Sequence, residues 1–304
     1  MNGRLAGSQR ESLHNDPSLR SVGSDEDEGS AKPSSLIAPG GWFDTMSENA
    51  TPLLSVRGVT LRFGGVVALD DVTFDVMPGQ IAGLIGPNGA GKTTLFNCLS
   101  RLYQPSAGEI TFEGQSVLAV PRHKIPMIGI GRTFQNVALF DRLTVLENVM
   151  VGRHSRTSAG FVENALRLPS VGREEAAVRE KALDLIEFMN LGPFTHRVAA
   201  GLPFPIRKRV ELARALAAEP KLLLLDEPAA GLNHDEVHTL EGQIRRVRDV
   251  QGVTVLLVEH HMSLVMSVSD KVVVVNFGRK IADGTPDEVR QNPDVIRAYL
   301  GTDA

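Results

Sequence analysis

The sequence Gly86-Pro87-Asn88-Gly89-Ala90-Gly91-Lys92-Thr93-Thr94 is the most informative part of the chain for its fold class. It fits the spacing G-x-x-x-x-G-K-[ST], between a short apolar run at Ile81–Ile85 and a helical pattern that reaches about Arg101. Glycines at these positions let backbone N–H groups approach phosphate oxygens closely, and the start of the next helix adds partial positive charge. Strand, loop and helix occur in the order that the motif requires, so the sequence predicts a phosphate-binding loop.

The loop predicts an ATP site rather than a Gly-rich turn that precedes a lysine by chance. Lys92 is expected to contact the β- and γ-phosphates, and the Thr93 hydroxyl is expected to bind Mg²⁺. The chain contains no Asn-Lys-x-Asp sequence for reading guanine, which argues against a GTPase. The residues predicted to bind the nucleotide are those of the loop, Gly86, Pro87, Asn88, Gly89, Ala90, Gly91, Lys92, Thr93 and Thr94.

A second signal is an apolar strand that ends in two carboxylates, Leu222–Asp226 followed by Glu227. Asp226 is predicted to hold Mg²⁺ through water, and Glu227 is predicted to take the proton of the attacking water. An apolar strand that ends in Asp-Glu is common by itself. Together with the phosphate loop in an α/β pattern, it indicates a site that hydrolyses a nucleotide.

Two further polar residues lie where strands are predicted to end. His260 follows the apolar run Thr254–Glu259, on the γ-phosphate side of a bound nucleotide, although a single histidine is more often structural. Gln135 lies within Gly131–Val137 at a junction between a strand and a loop. Composition alone therefore leaves both roles open.

Charge and composition restrict the class of protein. Of the 304 residues, 42% are apolar, which is enough for a sizeable core. Residues 1–50 hold 8 acidic and 4 basic side chains, whereas residues 51–304 hold 28 of each, so the folded part lacks the basic footprint of a nucleic-acid-binding protein. The single cysteine, Cys98, permits no internal disulfide, as is usual in a reducing compartment.

Residues 1–50 are predicted to be a disordered tail, rich in Ser, Gly, Asn and Asp and with an acidic cluster at Asp25–Glu28. The tail lacks the continuous apolar core of a signal peptide, and no apolar run approaches the roughly 18 residues of a membrane span. We therefore expect a cytoplasmic protein whose link to a membrane runs through a partner.

From about Thr51 onward the pattern becomes regular. Alternating residues at Leu54–Phe63 and Val66–Val76 predict two antiparallel strands joined at Gly64-Gly65, and Glu109–Phe112 predicts another strand. After Pro220 strands and helices alternate, which predicts a parallel α/β sheet. The predicted elements there are strands at 221–226, 253–258 and 271–276 and helices at about 235–250 and 261–269.

Residues 144–219 are predicted to be mostly helical. Thr144 and Glu147 have the spacing of a capping box at the start of a helix. Apolar periodicity predicts further helices at Glu174–Met189 and Val210–Ala218, the second of which Pro220 would end.

The order of these motifs resembles the nucleotide-binding subunit of ABC transporters. The phosphate loop is followed by Arg132-Thr-Phe-Gln135, a helical block, Leu225-Asp-Glu-Pro228 and Glu259-His260. The resemblance covers residues 53–300. It implies a P-loop NTPase core of the RecA-like α/β class, an antiparallel β subdomain at about 53–80 and 109–113, and an α-helical subdomain at about 140–215. Residues 51–304 would then form one ATP-binding domain.

The resemblance also implies roles for single residues. Phe63 matches the aromatic residue that stacks on adenine. Gln135 matches the glutamine that contacts the nucleotide, senses Mg²⁺ and faces the membrane partner. Ala230–Asn233 matches the loop that contacts the opposite subunit, and His260 matches the switch histidine. With these roles added, the predicted catalytic residues are Lys92, Glu227 and His260, and the predicted metal ligands are Thr93, Gln135 and Asp226.

A finer resemblance is to the ATPases of branched-chain amino acid importers. It rests on the phrases Arg62–Gly65, Ala68–Asp71, Leu139-Phe140 with Leu143–Asn148, Pro228–Asn233 and Val258–His260. The family implies two ATPase subunits, identical or different, that sandwich two ATP molecules head to tail. It implies membrane permease subunits that contact Gln135–Leu143, an extracytoplasmic solute-binding protein reached through them, and a peripheral place on the inner face of the cell membrane.

One segment departs from the family. Where ABC ATPases carry Leu-Ser-Gly-Gly-Gln, this chain has Leu202-Pro203-Phe204-Pro205-Ile206, without the hydroxyl and with two residues that lack an N–H group. One interpretation is benign, because proline suits the first turn of a helix. The other is a heterodimer in which this chain's own loop hydrolyses ATP and the partner's loop, closed by Pro203–Ile206, turns over slowly.

Two other functions are alternatives. A soluble ABC protein of DNA repair or translation usually carries two cassettes or a long coiled coil, whereas this chain has one phosphate loop and no sustained heptads. A regulatory nucleotide-binding protein with slow hydrolysis is suggested by Pro205, but Glu227 and His260 argue against it.

Overall fold

The computed structural model describes residues 51–154 and 169–300. The predicted tail at residues 1–50 lies outside the described residues, and so does part of the predicted helical subdomain, residues 155–168. Strand β1 (Leu54–Phe63) pairs in antiparallel fashion with β2 (Val66–Val76), and Gly64, with φ of 56°, forms part of the turn between them. This hairpin confirms the prediction from the alternating pattern.

The hairpin belongs to a four-stranded sheet with the order β2-β1-β4-β5. Strand β4 (Ala107–Phe112) begins two residues before the predicted Glu109, because Ala107 also pairs with Thr60 of β1. Strand β5 (Gln115–Ser116) pairs with β4, and three short 3₁₀ turns follow. The turns span Val117–Ala119, Arg122–Lys124 and Pro126–Ile128.

A second sheet of six strands forms the centre of the fold, with the order β10-β9-β3-β8-β7-β6. Its strands are β3 (Ile81–Ile85), β6 (Ile130–Arg132), β7 (Leu222–Asp226), β8 (Thr254–Val258), β9 (Lys271–Asn276) and β10 (Arg279–Gly284). Neighbouring strands from β9 to β6 are parallel, and only the edge strand β10 is antiparallel to its neighbour. All residues of β3, β7 and β8 are buried, as expected for parallel strands covered on both faces.

Helices follow the strands as the alternation predicts. Helix α1 (Lys92–Leu99) is shorter than predicted, because Ser100 caps its end and Arg101 has a φ of 59°, in the left-handed region. The other helices in order are α2 (Val145–Gly152), α3 (Pro169–Phe188), α4 (Phe204–Ala217), α5 (His234–Gln251), α6 (Met262–Val268), α7 (Pro286–Gln291) and α8 (Pro293–Leu300). Short 3₁₀ turns at Gly192–Phe194 and Ala199–Gly201 precede α4.

Helix α4 corrects the prediction that a helix begins at Val210. It begins six residues earlier, at Phe204, with Pro203 as its N-cap and Pro205 in its first turn. Proline is tolerated there because first-turn N–H groups have no partner within the helix. The two prolines therefore lie at the start of a helix.

Helix α2 is anchored as predicted by a reciprocal capping box between Thr144 and Glu147. The fully buried Asn148 adds a second anchor. Its Oδ1 accepts a hydrogen bond from the Phe140 N–H at 2.9 Å, and its Nδ2 lies 3.1 Å from the Phe140 carbonyl oxygen and 3.0 Å from that of Thr144. These bonds fix the loop that leads from β6 to α2.

Two apolar clusters lie on opposite faces of the central sheet. One packs α2 to α6 against it, and the other packs α1 and the four-stranded sheet against it. Across the two described ranges, no helix combines the length and the apolar character that a membrane crossing needs.

Candidate functional site

The phosphate loop connects β3 to α1 and needs glycine at several positions. Gly86, Gly89 and Gly91 have φ angles of 154°, 79° and 101°. A Cβ on Gly86 would lie 2.0 Å from the Val275 carbonyl oxygen, and one on Gly91 would lie 2.7 Å from that of Ala68. The loop therefore combines backbone conformations that L side chains rarely adopt with close backbone contacts.

A cleft with a volume of about 310 Å³ opens above the loop. It is lined by Asn88–Thr94, by Val66–Ala68 of β2, and by Glu227 and His260. The structure thus places the loop and two predicted catalytic residues around one space, although β3, β7 and β8 are far apart in the sequence.

Lys92 lies at the floor of this cleft and is 5% exposed. Its Nζ donates hydrogen bonds to the carbonyl oxygens of Gly86 at 2.7 Å and Pro87 at 3.0 Å. Burial lowers the pKa of Lys92, and the charge of Glu227 opposes this shift. The ammonium group is therefore held inside the loop, where the oxygens of a bound phosphate would replace the two carbonyls.

Glu227 lies between two other predicted site residues, Gln135 and His260. Its Oε2 accepts a hydrogen bond from Gln135 Nε2 at 2.7 Å, and its Oε1 lies 2.6 Å from His260 Nε2. Glu227 has a φ of 47°, and its N–H donates to the Val258 carbonyl oxygen at 2.9 Å. A left-handed conformation is uncommon at a non-glycine residue, and the surrounding contacts maintain it here.

Asp226 lies at the end of β7 and is 3% exposed. Its Oδ2 forms an ion pair with Arg132 Nη2 at 2.7 Å, and its N–H donates to Thr133 Oγ1 at 3.4 Å. Arg132 is part of the sequence motif Arg132-Thr-Phe-Gln135, but no role was predicted for it. The signal that could have found it is a basic side chain at the end of the strand beside the one that carries Asp226.

The predicted metal ligands fit Mg²⁺ chemically. Thr93, Gln135 and Asp226 supply a hydroxyl, an amide oxygen and a carboxylate, which are the hard oxygen donors that Mg²⁺ prefers. Within residues 51–154 and 169–300, no group of three or more His, Cys, Asp or Glu side chains could hold a metal ion. Mg²⁺ would therefore be shared between these donors and phosphate oxygens, as is usual for Mg²⁺ at nucleotide sites.

The predicted adenine contact, Phe63, lies at the end of β1. Its ring is 47% exposed and packs edge to face against Tyr103, with 5.3 Å between the ring centroids. It is not among the residues that line the cleft, which at this end are Val66 and Val67. The stacking role of Phe63 stays a prediction.

Glu259 is a residue that the sequence analysis missed. It is 1% exposed, and its carboxylate accepts hydrogen bonds from the N–H groups of Ala229 at 2.6 Å, His260 at 3.0 Å and His261 at 3.3 Å. It thereby ties the loop after β7 to the loop after β8. A buried glutamate directly before the predicted switch histidine was the available signal.

The start of α4 lies beside Glu227. Lys208 Nζ donates to the Glu227 carbonyl oxygen at 3.3 Å and lies 5.6 Å from the centroid of the Phe204 ring. The N–H groups of Ile206 and Arg207 both donate to the Pro203 carbonyl oxygen at 3.0 Å. Those two N–H groups are thus occupied within the first turn, and Phe204 presents a half-exposed ring there.

A groove of about 420 Å³ lies between the central sheet and the helical block. Its lining includes the exposed rings of Phe134 and Phe140 and the basic side chains of Arg122 and Arg214. This groove overlaps the segment Gln135–Leu143, where the sequence analysis placed the contact with a membrane partner.

Comparison with known sequences identifies relatives. The profile of the ABC transporter family matches residues 69–230, and that of the branched-chain amino acid ATP-binding cassette transporter family matches residues 279–304. BraF of Pseudomonas aeruginosa, a high-affinity branched-chain amino acid transport ATP-binding protein, is 46% identical over 250 residues, or 82% of this chain and 98% of BraF. LivG of Escherichia coli, which bears the same description, is 44% identical over 250 residues, or 82% and 98% of the two chains.

Solved structures agree with this similarity. An ATP-binding cassette of an ABC transporter in its ADP conformation gives a TM-score of 0.72 at 30% identity, covering 83% of this chain and 99% of that chain. A nucleotide-free cassette from an ABC transporter gives 0.71 at 30% identity, covering 82% and 99%.

The substitution Glu259→Gln tests the buried carboxylate. An amide keeps one acceptor oxygen but turns an NH₂ group toward main-chain donors, so we expect a loss of about 2 to 3 kcal/mol in the free energy of unfolding, measured with urea. The control is Glu288→Gln, in the exposed capping box with Thr285, where glutamine serves equally well and the midpoint should not move. Equal midpoints for both variants would show that Glu259 does not hold the loops.

Proposed function

The chain belongs to the family of ATP-binding subunits of ABC transporters, and on that premise we propose that it is the ATP-hydrolysing subunit of an importer for branched-chain or related amino acids. The observation that carries hydrolysis is Glu227, held between Gln135 and His260 at a cleft lined by the phosphate loop. The similarity to BraF and LivG supports the substrate class.

The proposed reaction is attack of water on the γ-phosphate of ATP, which yields ADP and phosphate. Bound Mg²⁺ would supply charge neutralisation on the phosphate oxygens, held by Thr93 and Gln135 and, through water, by Asp226. Lys92 would exchange its bonds to Gly86 and Pro87 for bonds to the β- and γ-phosphates.

Glu227 is the proposed base that takes the proton of the attacking water. Gln135 and His260 each contact one of its two oxygens, and each oxygen keeps a further lone pair that can accept a hydrogen bond from the attacking water. His260 lies on the side of the phosphate loop and would keep Glu227 oriented while Gln135 moves. Gln135 directly follows Phe134, which lines the groove that we assign to the membrane partner, so movement of Gln135 would link hydrolysis to that partner.

The proposed partners are membrane permease subunits. An element of the permease with exposed apolar and acidic side chains would suit the groove, which offers Phe134 and Phe140 beside Arg122 and Arg214. This contact would place the chain at the inner face of the cell membrane, and the solute-binding protein would act on it only through the permease. The alternative of a regulatory protein with slow hydrolysis is not favoured, because Glu227, Gln135 and His260 are assembled for catalysis.

The substitution Glu227→Gln tests the proposed base. Removal of a general base should lower the ATPase rate of the assembled transporter by about 10² to 10⁴ while ADP still binds, because the amide cannot accept the proton. The rate is measured as released phosphate, and ADP binding is measured by calorimetry. Glu109→Gln on the exposed part of β4 is the matched control. Hydrolysis by E227Q at the control's rate would exclude Glu227 as the base.

We also propose that this chain pairs with a second, different ATPase subunit and that their two sites are unequal. Pro203 and Pro205 lack N–H groups, and those of Ile206 and Arg207 are occupied within the helix, so the start of α4 is a poor phosphate-binding surface for the partner's nucleotide. The proposed productive site is therefore the one at this chain's own loop.

Blocking the two phosphate loops separately tests this asymmetry. Lys92→Ala in this chain should abolish most turnover of the assembled transporter, whereas alanine at the matching lysine of the partner should leave most of it. Phosphate release by each singly blocked transporter is the measurement. Equal losses from the two blocks would refute the asymmetry.

A further inference from the structure

Arg132 lies beside the site and forms polar contacts through both of its terminal nitrogens. Its side chain is 9% exposed, and its Nη2 pairs with Asp226 Oδ2 at 2.7 Å. Its Nη1 donates to Asn97 Oδ1 at 2.9 Å and to Ser100 Oγ, both near the end of α1. One guanidinium therefore joins the end of β6, the helix that carries Lys92 and the carboxylate at the end of β7.

Two aromatic rings limit the movement of this guanidinium. Its Cζ lies 5.8 Å from the centroid of the Phe96 ring and 5.4 Å from that of Phe134. The Nε is buried without a hydrogen-bond partner, so the contacts with Asp226, Asn97 and Ser100 orient the group through its two terminal nitrogens. Arginine suits this place because its planar fork can bond several acceptors at once and stack on rings.

The carboxylate of Asp226 needs a counter-charge whether or not a metal is present. Its side chain is 4% exposed, and a buried charge without a partner is strongly unfavourable. Arg132 supplies that counter-charge. When Mg²⁺ is bound beside the phosphates, Asp226 faces a second cation, and the two positive groups repel each other through the same low-dielectric surroundings.

We propose that Arg132 is a positioning residue that acts as the internal cation of Asp226 in the nucleotide-free chain, so that Mg²⁺ competes with it for this carboxylate. The inference rests on the proposed function only in taking Asp226 as a metal ligand. Arg132 and Mg²⁺ interact with the same carboxylate, so each weakens the interaction of the other with it. Arg132 therefore stabilises the site without Mg²⁺ and lowers the affinity of the site for Mg²⁺.

The test compares Arg132→Gln with Arg132→Lys in the full chain. ADP binding is measured by calorimetry over a series of Mg²⁺ concentrations, and thermal unfolding is measured in EDTA without nucleotide. R132Q should lower the half-saturating Mg²⁺ concentration at least about fivefold. It should also lower the melting temperature in EDTA on the order of 5 to 10 °C, and by less when Mg²⁺ and ADP are bound.

R132K separates charge from packing. A lysine keeps a cation beside Asp226 but cannot bond Asn97 and Ser100 with a planar fork, so its melting temperature should fall while its Mg²⁺ dependence stays that of the wild type. Arg57→Gln is the matched control, since Arg57 Nη2 also pairs with an aspartate, Asp75, at 2.7 Å but is half-exposed. R57Q should change neither the melting temperature in EDTA nor the half-saturating Mg²⁺ concentration.

Equal Mg²⁺ dependence in the wild type, R132Q and R132K would overturn the inference and leave Arg132 a purely structural residue. Absence of ADP binding in the wild type would instead contradict the proposed function. The double variant R132Q/D226N removes both buried charges and should melt above R132Q in EDTA. If R132Q does not fold, a folded double variant supports the inference, and failure of both to fold overturns it.

Discussion

The parallel arrangement of the central sheet is the constraint on which the site depends. Parallel neighbours end at one edge, so the loop after β3, Arg132 at the end of β6, Asp226 at the end of β7 and the loop after β8 converge there. No local sequence feature could bring Lys92, Glu227 and His260 around one cleft. The apolar runs that form the strands therefore determine function as much as the polar residues that follow them.

The buried carboxylates of Asp226 and Glu259 then hold these strand ends in place relative to one another. Asp226 is held by Arg132, and the Glu259 carboxylate binds main-chain N–H groups on two neighbouring loops. Both acidic groups are nearly inaccessible to water, where an unpaired charge would be strongly unfavourable. The same bonds that satisfy these charges leave Glu227 at the cleft with Gln135 and His260 as its neighbours.

Much of this arrangement was predictable from the sequence. The hairpin β1-β2, the apolar strands and the capping box at Thr144 follow from local patterns, and the structure confirms them. The start of α4 was predicted six residues too late, at Val210, because it was taken from the apolar periodicity of Val210–Ala218, whereas the helix begins at Phe204. Arg132 and Glu259 were missed as site residues because their roles arise from partners such as Asp226, 94 residues from Arg132.

The loop at Gly86–Thr94 and the strand ends opposite it are proposed to form one nucleotide site, which a crystal structure of the full chain with Mg²⁺ and ADP would test. We expect phosphate oxygens within hydrogen-bond distance of Lys92 Nζ, in place of the carbonyl oxygens of Gly86 and Pro87 that accept its hydrogen bonds in the chain alone. ADP bound elsewhere, or bound while Lys92 keeps both carbonyl contacts, would contradict it.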